Sequence, residues 1–162
     1  MSTFKSNLSV RKLFQGAASG FVATAPMSLT MLIGWTLLPR REKYPLPPRL
    51  ITEEITERVG LEDQMDEGEL VGLTLFSHFG YGALFGSVYA LFENRIPMHS
   101  SLRGALTGMA LWIASYLGWL PAAGILRPAT RHPWRRNLLM IIAHVVWGVT
   151  LGEAMRKLTE NE

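Results

Sequence analysis

Two histidines are the residues of this sequence best placed to do chemistry. His78 is followed by Gly82 and Gly86, and His144 by Gly148 and Gly152, so one four-residue spacing occurs twice. Positions i, i+4 and i+8 drift by only about 40° per step around a helix, so each histidine shares a face with its two glycines. Imidazole is the side chain whose ordinary titration lies nearest neutrality, which opens three chemistries. A neutral ring can hydrogen-bond a neighbouring helix and hold the packing. Two rings at similar depth can sense or relay protons. Two rings can also ligate a haem or metal, or contact a pigment, although two imidazoles alone make a thin metal site. Ser77 and Tyr81 beside His78, and Trp147 after His144, can supply hydrogen bonds.

Other chemistries find no support. The chain has no Cys, which excludes a disulfide scaffold, a thiolate metal or iron–sulfur site and a cysteine nucleophile. It carries no Walker loop, serine-hydrolase elbow, zincin motif or pair of carboxylates inside an apolar run. The expectation is a protein that is not an enzyme. His99 and His132 fall in polar connections, while Trp112, Trp119, Trp134 and Tyr44 read as interface anchors or packing.

The elements that position the histidines are membrane spans. Of 162 residues 48% are apolar and only 18% charged, against roughly 25% in soluble chains. The mean hydropathy is +0.16. The net charge of +3 is distributed between apolar blocks rather than gathered in a basic patch, which argues for a lipid bilayer and against nucleic acid. Four stretches are free of charge: Leu13 to Pro39, Leu70 to Phe92, Gly104 to Leu126, and Asn137 to Gly152. A helix needs about 20 apolar residues to cross hydrocarbon. The fourth stretch is long enough if Pro133 and Trp134 open it and Arg156 and Lys157 snorkel at its end. The expected architecture is one all-α membrane domain with spans over 13–38, 70–92, 104–126 and 134–155. Pro26 should kink the first span. Lys and Arg are too evenly divided between the two sides to orient it.

The connection over 40–69 is the one sizeable non-membrane piece. Pro45, Pro47 and Pro48 predict an extended, polyproline-like approach, and Thr52 an N-cap. A short amphipathic helix follows, with Ile51, Ile55 and Val59 as its apolar stripe and Gly60 as its stop. The acidic run Glu62, Asp63, Asp66, Glu67 and Glu69 suits the N-terminus of the second span.

Every span contains one Gly-x-x-x-Gly: Gly16 and Gly20, Gly82 and Gly86, Gly104 and Gly108, Gly148 and Gly152. Small residues let helix backbones approach closely, so these faces predict packing inside a four-helix bundle. The doubled histidine frame and the two Pro/Arg-rich loops predict two duplicated helical hairpins. Four short spans also invite a homo-oligomer or a place in a larger membrane complex, as an accessory subunit with a pigment, haem or lipid between its Gly-rich faces and the partner.

The string Pro45-Leu46-Pro47-Pro48-Arg49, with Ser77-His78, Pro133-Trp134, Asn137 and Ala143-His144-Val145-Val146-Trp147, resembles the YagU-like family of small bacterial inner-membrane proteins. The likeness is patchy but runs from Gly16 to about Arg156, with a shorter first connection and an acidic helix of its own here. It implies a bacterial inner-membrane location and at most an association with acid resistance, and it assigns no substrate, cofactor or reaction. It agrees with weight on His78, His144 and Arg49, the last expected at the mouth of the bundle or on an anionic headgroup.

Overall fold

A computed structural model of the chain describes residues 2–95 and 97–160. Six α-helices follow one another: α1 (Ser2–Thr36), α2 (Pro47–Arg58), α3 (Glu67–Phe92), α4 (Ser100–Ile113), α5 (Leu120–Ala122) and α6 (Trp134–Glu160). A π-helical segment, Ala114–Trp119, joins α4 to α5. Four stretches are long and apolar enough to cross a membrane: Val10–Thr36, Glu67–Phe92, Ser100–Ala122 and Trp134–Glu160. Large apolar side chains such as Phe14, Leu32 and Phe76 point outward, where a bilayer would solvate them. Pro26 lies within one continuous helix.

Several boundaries differ from the sequence expectation, and two of them have a local cause. The third span ends at Ala122, not Leu126. Gly124 adopts φ 70°. Its N–H donates to the carbonyl of Pro121 and the N–H of Ile125 to that of Leu120, the glycine-terminated motif that satisfies the last carbonyls of a helix. Lack of charge thus continued past the point where the backbone turned. The short helix begins at Pro47 rather than after Thr52. Pro47 and Pro48 occupy its first turn, where a missing N–H costs nothing and the fixed φ helps. Thr52 lies inside it and donates to the carbonyl of Pro48. Gly60 ends it as expected, with φ 70° and the same pair of closing bonds, Gly60 to Glu57 and Leu61 to Thr56. Asp66 caps α3 reciprocally: its side chain accepts from the backbone of Glu69, whose carboxylate accepts from the backbone of Asp66.

The spans pack as a row, α3–α1–α6–α4, with α1 and α6 central. The glycines explain which helices touch. A Cβ added at Gly16 or Gly20 would collide with the carbonyl oxygen of Gly86 or Gly82. One added at Gly104 or Gly108 would collide with that of Gly148 or His144. Both pairs are therefore antiparallel and in backbone contact, a proximity only glycine permits. The central pair is tied by Trp147 Nε1, which donates to the carbonyl of Gly20 at 3.2 Å. The start of α1 and the end of α6 then lie on one side, with the end of α3 and the start of α4. The 37–66 and 123–133 connections lie on the other, called here the loop side.

Candidate functional site

The outer helix α3 meets the π segment that follows α4 through side chains. Tyr81 Oη and Ser115 Oγ share a hydrogen bond of 3.0 Å, and Trp119 Nε1 donates to Tyr81 Oη at 3.2 Å. Toward the loop side the row leaves a cavity of about 200 Å³ between them. Met27, Met31, Leu111 and Leu120 supply apolar walls, and His78 and His144 both line the space. The structure therefore brings the two sequence-predicted histidines to one site, from helices that do not neighbour each other in the row.

Their surroundings differ. His144 is buried, and its Nδ1 lies 2.7 Å from the carbonyl oxygen of Met140. A carbonyl only accepts, so Nδ1 carries the proton and Nε2 is the acceptor of the neutral ring. The ring stands edge-on to Tyr116. Nε2 of His78 is buried with no hydrogen-bond partner among the described residues. Trp147 is 1% exposed and its indole N–H is committed to Gly20, so it serves as a tie and a wall. Among the described residues no three metal-ligating side chains cluster.

The π segment shapes the α4 wall. Gly118 departs from helical geometry (φ −109°, ψ −107°), and the widened turn projects Ser115, Tyr116 and Trp119 to the cavity. The signal was available in the sequence: Pro121 has no N–H for the carbonyl four residues earlier, which loosens the turn before it.

Helix α2 closes the loop-side end. Its buried face is Thr52 and Thr56 rather than the expected isoleucine stripe; Ile51 and Ile55 line the cavity, and Val59 is exposed. Thr52 Oγ1 lies 3.4 Å from Ser77 Oγ of α3. At the other end Arg58 donates to the carbonyl of Ala123, just beyond α5, at 2.8 Å. The helix is thus a strap from one outer span to the other. Arg49 anchors it: Nη1 and Nη2 each donate to Glu67 at 2.7 Å and Nε donates to Glu53 at 2.5 Å. Those two carboxylates hold the guanidinium above its ordinary pKa. A carboxylate clamp thus occupies the fork of a side chain that the sequence reading sets at the bundle mouth or on an anionic headgroup.

Sequence reasoning missed Arg136. It is 4% exposed and donates to three backbone carbonyls, of Glu42, Tyr44 and Pro45, at 2.8–2.9 Å. It also stacks 3.5 Å from the Tyr44 ring centroid. Trp35 Nε1 donates to the same Tyr44 carbonyl. Tyr44 Oη shares a 2.7 Å bond with Nδ1 of His132, whose Nε2 lies 3.1 Å from the carbonyl of Arg127. Asn137 Nδ2 donates to the carbonyl of Ala129. This network pins the Pro-rich strap to the second loop. Arg136 is one of several cations in a Pro/Arg-rich stretch, and nothing in a single sequence marks which of them folds inward.

The family model for DUF1440, proteins of unknown function, matches residues 31–152. The chain belongs to the DUF1440 family. The matched stretch runs from Met31 through α2, α3 and the π segment to Gly152, and so takes in the strap, both histidines and the Arg136 network of this DUF1440 member. No curated protein and no solved structure matches the chain.

Proposed function

We propose that this DUF1440 chain is a small, non-enzymatic protein of the bacterial inner membrane, of YagU-like type, that holds a membrane-soluble molecule in the cavity between α3 and α4. One observation carries the reading: His78 and His144, from helices that do not neighbour each other in the row, line a single, largely apolar cavity. Ionisable residues at membrane depth mark functional sites by default.

The matching glycine pairs of α1/α3 and α4/α6 support an origin by duplication, two hairpins related by an axis along the membrane normal. An open-sided row with a ligand between its ends also suits an accessory subunit, presenting that ligand to a larger complex or to a second copy of the chain.

The test is extraction from the native membrane in mild detergent, followed by an absorption spectrum and mass spectrometry of the organic extract. A visible band lost in His78→Ala assigns haem or pigment ligation. A colourless molecule retained stoichiometrically by the wild type and lost in that variant supports a lipid-like ligand. Wild-type protein carrying only bulk lipid in bulk proportions would sink the proposal.

A second reading makes the same pair proton-responsive, in line with acid-stress homeostasis. Its support is the charge balance of the cavity: besides the histidines the titratable lining groups are Tyr81 and Tyr116, and no carboxylate lines it. A proton taken up by either ring would therefore stand unbalanced in a low dielectric. His78→Ala or His144→Ala should then abolish acid protection at unchanged protein abundance. Parallel loss of abundance would reduce both rings to packing.

A further inference from the structure

The 123–133 connection builds a second cavity, of about 590 Å³, at the loop-side ends of the third and fourth spans. It shares no lining residue with the histidine cavity: α2 lends Ile51 and Ile55 to that one, and Leu50 and Glu54 to this one. Leu50, Ile125, Leu126 and Pro133 make one side apolar, while Arg127, Arg131 and His132 make the other cationic. A tight turn brings the two arginines back toward each other. The N–H of Arg131 donates to the carbonyl of Pro128, and Nε2 of His132 lies 3.1 Å from the carbonyl of Arg127.

Arg49, Arg58 and Arg136 spend their guanidinium donors inside the protein. Within the described residues the side chains of Arg127 and Arg131 make no hydrogen bond and no ion pair. Glu54, the one carboxylate lining the cavity, is already answered by Arg58 at 2.8 Å. The cavity therefore holds two positive charges without an internal counterion. We infer that it binds a phosphate group through Arg127 and Arg131. A guanidinium presents paired donors that match phosphate oxygens. The ends of the spans are also the depth at which a bilayer carries its phosphates, and basic pockets at span ends are where anionic headgroups bind. His132 reports the same positive field: after desolvation, the charges of Arg136 and Arg127 hold its pKa down. The apolar side suits the glycerol and first acyl carbons of a phospholipid, whereas a free phosphate uses the arginines alone.

The experiment uses the full chain in maltoside micelles with three probes: dioctanoyl phosphatidylglycerol, dioctanoyl phosphatidylcholine and inorganic phosphate. Native mass spectrometry counts bound lipid, and NMR follows the titration midpoint of the His132 ring. Each cation beside an anionic headgroup is worth roughly fivefold in affinity. Arg127→Gln/Arg131→Gln should therefore weaken phosphatidylglycerol about 25-fold. Arg40→Gln/Arg41→Gln removes the same charge from the same side without touching the cavity, and should leave binding close to wild type. Phosphatidylglycerol bound one to one, preferred over phosphatidylcholine and lost in the cavity variant alone, supports the site with a lipid as carrier. A His132 midpoint raised by inorganic phosphate, but not in the cavity variant, supports it with a soluble carrier when the two lipids bind equally. Equal weakening by both double variants overturns the site, because bulk charge then explains the binding. Indifference to both phosphatidylglycerol and inorganic phosphate overturns it outright.

Discussion

Gly148 sits where α4 and α6 touch, and Gly148→Ala isolates what that touch is worth. The added Cβ meets the carbonyl oxygen of Gly104 far inside van der Waals distance. Ordinary contact begins at 3.4 Å, so the helices must part by about 1 Å. A gap of that size forfeits about a quarter to a half of the dispersion energy of the atoms along the contact. Overpacking of this kind costs about 1–3 kcal/mol. Gly80 in α3 is the internal control, with nothing within 4 Å of an added Cβ. There, alanine gains up to about 1 kcal/mol of helix propensity. Gly148→Ala shares that propensity gain, so the two substitutions differ by the overpacking alone, about 1–3 kcal/mol, roughly 5-fold to 150-fold in the unfolding constant. The assay is a reversible titration of the protein in mixed micelles with sodium dodecyl sulfate, followed by circular dichroism. Equal midpoints for Gly148→Ala and Gly80→Ala would refute the glycine contact as the source of hairpin stability.

Arg136→Ala strips three carbonyls of a buried donor and removes the stack on Tyr44, a loss of about 3 kcal/mol or more. Arg136→Lys should restore only part of it, because an ammonium cannot reproduce the fork; faster protease cleavage within 37–46 reads both. His132 is held below its ordinary pKa of 6.5, first by desolvation. A histidine whose folded pKa is depressed contributes stability that is complete above 6.5 and drains away as pH falls below it toward the folded value. Cleavage in the 123–133 loop should therefore accelerate between pH 7 and pH 5 in the wild type and stay flat in His132→Asn; the same slope in both would disprove the assignment. Arg49→Ala should loosen the strap, raising cleavage in 47–66 with helix content unchanged, and Glu67→Gln should do the same. If Arg49 instead held an anionic headgroup, Glu67→Gln would be silent.

The sequence exposes the spans and the helix faces well, because hydropathy and the spacing of glycines report directly on what a bilayer and a close helix contact demand. A Cβ added at Gly16, Gly20, Gly82, Gly86, Gly104, Gly108, Gly148 or Gly152 would meet a neighbouring helix. The reunion of His78 with His144 follows from the same frame. Three features were beyond it. The turn at Gly124 uses apolar residues, so no change of polarity announces it. The proline pair of α2 suits either an extended run or a helical first turn, and contacts to Ser77 and Glu67 far along the chain decide between them. Arg49 and Arg136 are two cations of similar context, one clamped by carboxylates and one folded into the protein, and only tertiary partners tell them apart.

The glycines and the cavity are two consequences of one gradient along the row. In each span the half nearer the termini carries the glycine pair, and the half nearer the loops carries bulk. In α1, Gly16 and Gly20 give way to Met27 and Met31; in α4, Gly104 and Gly108 give way to Leu111, Ser115 and Tyr116. In α3 and α6 the same order runs backwards, from His78 to Gly82 and from His144 to Gly148. Helices drawn together at one end and held apart at the other form a clamp, and its open end is where the outer spans leave lateral access. Each histidine stands one turn from a glycine, at the fulcrum, where backbone contact ends and the cavity begins; a Cβ at Gly108 would meet the carbonyl of His144 itself. The strap α2 then does mechanical work by tying α3 at Glu67 and Ser77 to the end of α5 at Ala123. A ligand seated against the histidines would press on both arms of that clamp, so its binding and the tension on the Arg49 and Arg58 contacts are coupled and reciprocal. Cutting the strap with Arg49→Ala should therefore weaken retention of a cavity ligand without touching any residue that lines the cavity. Undiminished retention of the co-extracted molecule in that variant would separate the strap from the site.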